Sequence, residues 1–204
     1  LNYQGQDDSY DVEYGTDGLS VRIVYSGATN GWIPTLDQTV ADVPDKGNSN
    51  GIFGYGTTGS EVSMTNLVSN AGVVATDVTG VGTARLGPAA TEYGGDKGIF
   101  GYGSNSYVSM TNLVTNAGVV GTDVTGVGTA RVELSACGYG GDKGIFGYGN
   151  TGSSGSKVSL TNLVSNAGVV ATDTTGVGTG REGLAACEYG DDKGIFGYGY
   201  TGSD

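Results

Sequence analysis

The chain has 204 residues, enough for one large or two small domains, and its 9 Lys and Arg face 21 Asp and Glu, a net charge of −12 with no His. So acidic a surface repels phosphate backbones and anionic lipid, and a chain without His lacks the commonest general base and metal ligand, which excludes a Ser-His-Asp triad and a His zinc site. The 41 glycines alternate with Val, Ile, Leu, Phe and Tyr in a fixed pattern and no stretch carries the 3.6-residue helix period, so the expected fold class is all-β.

Residues 1–17 (LNYQGQDDSYDVEYGTD) are acidic and rich in Tyr, the composition of an extended arm. Residues 18–44 read as a small β module. In LSVRIVY (19–25), Leu19, Val21, Ile23 and Tyr25 share one face, and Ser20, Arg22 and Val24 share the other, the period of a half-buried strand. SGATNG then turns the chain, and Trp32 and Ile33 pair back in a second strand that ends at Pro34. A module of this size needs partners to be stable. The run VRIVYSGATNGWIPTLDQTV resembles short β modules of bacteriophage tail-fibre and related virion proteins, and the resemblance implies a structural part exposed on a virion or outside a cell.

Residues 45–204 are tandem repeats. GIFGYG begins at Gly51, Gly98, Gly144 and Gly194, spacings of 47, 46 and 50 residues, a period typical of solenoids and propellers. Each unit divides at Gly, Asn or Ser turns into four segments. The first is LGPAATEYG (86–94), VELSACGYG (132–140) and EGLAACEYG (182–190). The second is DKGIFGYG, the third VSMTNLVSN (62–70) and its copies at 108–116 and 158–166. The fourth runs from GVV to Arg85, Arg131 or Arg181. The expectation is therefore four-stranded blades, in units near 51–85, 86–131, 132–181 and a partial 182–204. The stretch GTARVELSACGYGGDKGIFGYG (128–149) resembles the kelch repeat, which implies a β-propeller. About three and a quarter blades are present, whereas closed propellers need at least four. An open blade array, a fragment of a longer propeller, and completion between copies by head-to-tail strand lending are the three ways to reconcile the count.

Asp77, Asp123 and Asp173 recur with Arg85, Arg131 and Arg181, one acid and one base per unit. They form either a ring of ligand-binding groups or an ion pair that locks each blade; residues repeated in every unit favour the second. Phe53, Phe100, Phe146 and Phe196 are expected as structural repeat positions, as are the Asp-Lys turns. Tyr55, Tyr102, Tyr148 and Tyr198 pack between blades or stack on a sugar. TDVTGVG resembles integrin-type calcium blades, but Asp77-Val78-Thr79-Gly80-Val81 offers one carboxylate and one hydroxyl, too few oxygens for calcium, so no metal or cofactor is expected. Cys137 and Cys187 occupy one repeat position that Thr91 fills earlier, as small strand residues or as an inter-repeat disulfide. Glu133, Glu182 and Glu188 are the unit-specific carboxylates that a glycosidase would have to use. The sequence thus leads to a non-enzymatic structural protein of an extracellular or virion appendage, a fibre or tail fibre. Its partner is itself, with no nucleic acid and no membrane insertion. The alternative is a propeller that binds a cell-surface glycan or protein.

Overall fold

GIFG is a strand in which small and large side chains swap faces: Gly98 and Phe100 lie on one side, Ile99 and Gly101 on the other. The sheets follow from that alternation. In the computed structural model the described residues are 22–27, 31–34, 50–152 and 156–202, and among them there are twelve strands and no helix. The chain divides into two units, 1–46 and 47–204.

In the first unit, β1 (Ile23–Tyr25) pairs antiparallel with β2 (Trp32–Pro34), Tyr25 opposite Trp32, as the sequence led us to expect. The connecting turn is closed by the Ser26 amide on the Gly31 carbonyl at 2.7 Å. The Tyr25 and Trp32 rings meet at 5.4 Å between centroids. The expected half-buried face is not present within the described part of this strand: Ile23, Val24 and Tyr25 are all exposed. The arm at 1–17 and the residues Leu19, Ser20 and Val21 lie outside the described residues.

In the second unit the repeats give β3 (Gly51–Thr57) with β4 (Glu61–Val68), then β5 (Ala89–Tyr93), β6 (Lys97–Gly101) and β7 (Thr111–Val114). These are followed by β8 (Ser135–Tyr139), β9 (Lys143–Gly147) and β10 (Thr161–Val164), and last by β11 (Ala185–Tyr189) with β12 (Lys193–Gly197). All pairs are antiparallel, and the GIFG strand is central in the sheets β5-β6-β7 and β8-β9-β10. In the two complete units the first two segments and the TNLV part of the third are thus strands. The fourth is not, and the four-stranded blade is corrected to a three-stranded sheet with a bridged loop. Val74 and Val78 make only isolated bridges to Val68 and Thr65, and Val120 and Val124 repeat this on Val114 and Thr111. Gly72 and Gly82, with φ of 74° and 77°, interrupt the extended backbone on both sides of that stretch, so no ladder propagates.

Successive units pack strand on strand, β5 against β8 and β8 against β11. The alternation explains how. Phe146 of the third unit lies over Gly101 of the second so closely that a Cβ at Gly101 would sit 2.6 Å from the ring; Phe100 covers Gly54 and Phe196 covers Gly147 in the same way. Conversely, a Cβ at Gly144 would meet Thr91 at 2.5 Å and one at Gly194 would meet Cys137 at 2.6 Å. Each large residue fills the gap left by a glycine of the neighbouring unit, which brings the sheets close and buries Ile99, Phe100 and Phe146 almost completely.

A methyl group at such a glycine is an overpacking change, so Gly101→Ala should cost about 1–3 kcal/mol of unfolding free energy. Gly197 has nothing within 4 Å of its would-be Cβ, and Gly197→Ala should stay within about 0.5 kcal/mol of the parent chain. Denaturant unfolding of the two variants side by side checks the contrast.

Candidate functional site: the junction between repeats

The aromatic and charged residues that recur in every repeat converge at one place, the junction of a unit with the next. Tyr55, Tyr102 and Tyr148 follow the GIFG strand with φ of 65°, 63° and 63°, a left-handed conformation that bulky residues rarely adopt. It turns each ring out of the sheet. The Tyr102 ring is then held between the Arg131 guanidinium, 4.2 Å from its centroid, and the edge of Phe146, 5.2 Å away. Tyr55 sits likewise between Arg85 and Phe100, and Tyr148 between Arg181 and Phe196. The hydroxyls of Tyr55, Tyr102 and Tyr148 donate to the carbonyls of Val81, Val127 and Val177. Of the two readings of these tyrosines, packing between units is the arrangement found. Burial pushes the Tyr102 hydroxyl up to about 12, against the lowering effect of Arg131.

Arg85 and Arg131 are fully buried. A guanidinium there needs a partner for each donor group, and the junction supplies them. Arg85 Nε donates to the Tyr102 carbonyl at 2.7 Å, Nη1 to the Thr83 carbonyl at 3.1 Å and Nη2 to Asn112 Oδ1 at 2.8 Å. Arg131 repeats the set on Tyr148, Thr129 and Asn162 at 2.8, 3.0 and 2.6 Å. The asparagines are buried too, and their Nδ2 atoms donate to the Gly121 and Ala171 carbonyls and to Asp123 and Asp173. Those carboxylates in turn accept from the preceding unit: Asp123 from the amide and hydroxyl of Thr83, Asp173 from those of Thr129.

The Asp-Arg pairs singled out in the sequence therefore exist, but they are shifted by one unit. Arg131 approaches Asp173 of the following unit at 3.9 Å between Nη1 and Oδ1, and Asp123 feels the charge of Arg85. The cause is the strand register. Phe100 is paired opposite Asn112 and Phe146 opposite Asn162, and opposite residues share a face, so Asn and Phe of one unit both look back at the previous one. Gly82 and Gly128 complete the fit. Both have positive φ, and a Cβ there would lie 2.4 and 2.3 Å from the Asp123 and Asp173 carboxylates. Asn112, Asn162, Thr83 and Thr129 were not picked out as site residues. The signal available was their recurrence at one position of every repeat (TNL and GT-R), unremarkable for residues so often found in turns.

The Asp-Lys turns form a second row of contacts. Lys97 and Lys143 bond their neighbours Asp96 and Asp142 at 2.5 and 2.6 Å, Lys193 bonds Asp192, and the Gly94 and Gly140 amides donate to the Asp142 and Asp192 carbonyls of the next turn, both at 2.7 Å. Cys137 and Cys187 are free thiols, the first buried, with its thiol pushed up by that burial, and the second exposed. Of the unit-specific carboxylates, Glu182 bonds Asn150 and Lys157, and Glu133 has φ of 55°. Glu188 stands beside Glu92, the two acids flanking Gly138. Its carboxyl is raised by desolvation, then by a hydrogen bond with Glu92 and by the Glu92 charge. No group of three His, Cys, Asp or Glu among the described residues is placed to hold a metal.

At the outer ends the arrangement is incomplete. Among the described residues Arg181 bonds only the Thr179 and Phe196 carbonyls, at 3.4 and 3.5 Å, and its buried Nε has no acceptor there. Asp77 accepts from Asn66 at 2.8 Å but from no threonine among the described residues. No protein-family model matches the chain, and no curated protein matches it either.

Removing Arg131 leaves Asn162 and the Tyr148 carbonyl buried without their donor, so Arg131→Ala should cost about 3–5 kcal/mol, and Arg131→Lys should recover little because an ammonium cannot span three acceptors and cover a ring. Arg181→Ala, with long and incomplete bonds, should cost about 1 kcal/mol. Chemical denaturation of the three variants tests this.

Desolvation raises the Asp123 and Asp173 carboxyls, but the bonds from Thr and Asn and the charge of Arg outweigh it and hold both below the ordinary value of 3.8. A depressed folded value means that this stabilisation is complete above the unfolded value and is lost as pH falls through the folded one. Melting temperature should therefore drop below about pH 4, and in the double variant D123N/D173N it should start lower at pH 7 and fall less over that range, as a pH series of thermal melts would show.

Proposed function

We propose that this is a non-enzymatic structural protein of an extracellular or virion appendage, in which the repeats form an open array that extends by self-assembly. The observation that carries the reading is that the residues repeated in every unit are spent on joining one unit to the next. Arg85, Arg131, Asn112, Asn162, Asp123 and Asp173 have their polar atoms engaged across junctions, and the Tyr102 ring is fully buried against Arg131 and Phe146. Such a unit is specified for stacking, and a stack whose successive contacts are head to tail extends as an open filament wherever the rotation from one copy to the next does not close a ring. The likeness of residues 21–40 to tail-fibre modules and of 128–149 to kelch repeats is in keeping with an architectural part. A glycan-binding propeller is the weaker reading, since a sugar would have to displace Arg or Phe from the tyrosine rings; Tyr198, 94 % exposed, is the open one of the four.

Negative-stain imaging and light scattering of the purified chain test the proposal. Elongated particles whose mass grows with concentration are expected. Growth should be stronger at 0.15 M salt than at about 0.01 M, because screening relieves repulsion between chains of net charge −12. A compact monomer under all conditions would overturn it.

A further inference from the structure

The internal junctions provide a template for what the two outer faces of the array should bind. At an internal junction, Phe of the following unit lies over Gly of the preceding unit and against its Tyr ring, while Ile of the preceding unit is buried beneath. Ile99 is 1 % exposed and Phe146 0 %. At the outer faces the same residues are bare. On the β3 side, Phe53 is 65 % exposed, and among the described residues Gly51 has only Val68 of its own sheet nearby. On the β12 side, Ile195 is 51 % exposed, Tyr198 is 94 % exposed, and the space above Gly197 that a Phe ring fills at Gly54, Gly101 and Gly147 is open. Tyr198 nevertheless keeps φ of 62°, the conformation of its three covered counterparts. Each face thus carries half of a contact made three times within the chain, and the halves are complementary.

We infer that copies of this chain join head to tail by repeating the internal junction, Phe53 of one copy seating over Gly197 and against the Tyr198 ring of another. This rests on the assembly reading above and specifies its interface. Two further contacts follow from the template. Since Gly144 lies against Thr91 and Gly194 against Cys137 and Ile145, Gly51 of the incoming copy lies against the exposed Cys187 and against Ile195. The occupant is a second copy because its β3 face presents the required residues, Gly51 and Phe53, at the required spacing.

Sedimentation velocity on the full chain, with far-ultraviolet circular dichroism to verify folding, tests the contact. Phe53→Ala alters an exposed position, and Gly197→Val a half-buried one with nothing among the described residues within 4 Å of its Cβ, so both should fold. Each should lower self-association at least tenfold, leaving a 20.4 kDa monomer. Mixed one to one, they should form a discrete dimer, because F53A retains the Gly197 face and G197V retains the Phe53 face. Gly51→Cys should give, on oxidation, an intermolecular disulfide to Cys187 that Cys187→Ser abolishes. Assembly of the parent chain that neither substitution weakens would overturn the proposed contact and leave the assembly reading standing. A parent chain monomeric at every concentration would overturn both.

Discussion

The buried guanidinium is the constraint on which the array depends. An arginine with no exposure is tolerated only when its donors are met, and Arg131 meets them with the Tyr148 carbonyl and Asn162 of the following unit, the Thr129 carbonyl of its own, and the Tyr102 ring beneath. None of these acceptors is a carboxylate at hydrogen-bond distance. Asp173 compensates the charge from 3.9 Å and through Asn162, and it is itself fixed by two bonds from Thr129. Removing any one member leaves others unsatisfied, so the junction is retained as a set. That accounts for the near identity of GT-R, TNL and GIFGYG from unit to unit.

The apolar part of the junction contributes attraction and a fit of each ring to one glycine. A Phe ring over a glycine, edge-on to a tyrosine, is worth about 0.5–1.5 kcal/mol beyond its buried area. A slide by one residue pair would carry Phe146 from Gly101 onto Ile99 and lose the fit of ring to glycine. The polar chain from Arg to Asn to Asp to Thr opposes the same slide, because a shift of one pair would bring Met110 or Val114 opposite Arg85, and Leu160 or Val164 opposite Arg131, in place of their asparagines. Hydrophobic packing brings the units together, and the fit of ring to glycine and the hydrogen bonds set their register together.

Much of this was visible in the amino-acid pattern. Strands lie within the segments at 86–94, 132–140 and 182–190, at GIFG and at TNLV, where the pattern placed them, because the swap of small and large side chains between faces leaves a period-two signature. The fourth segment misled. GVVAT carries the β-branched residues of a strand, but its flanking glycines with positive φ confine it to single bridges. The Asp-Arg pairing was legible as a pair and illegible as to partner. Linear order places Asp77 before Arg85 in the same unit, and only the register of Phe against Asn shows that each arginine looks forward to the next one.

The variable positions support the same account. The connections between the second and third segments differ freely in sequence, TTGSE at 57–61, SNSY at 104–107 and NTGSSGSK at 150–157. There a change of length alters no junction partner, apart from local ties such as Asn105 to the Ala84 carbonyl and Lys157 to Glu182. The tolerance fits a molecule whose stability is a sum over neighbouring units. In such a system a change at a loop is felt once and locally, whereas a change at Arg, Asn or the GIFG glycines breaks the transmission of order from one unit to the next.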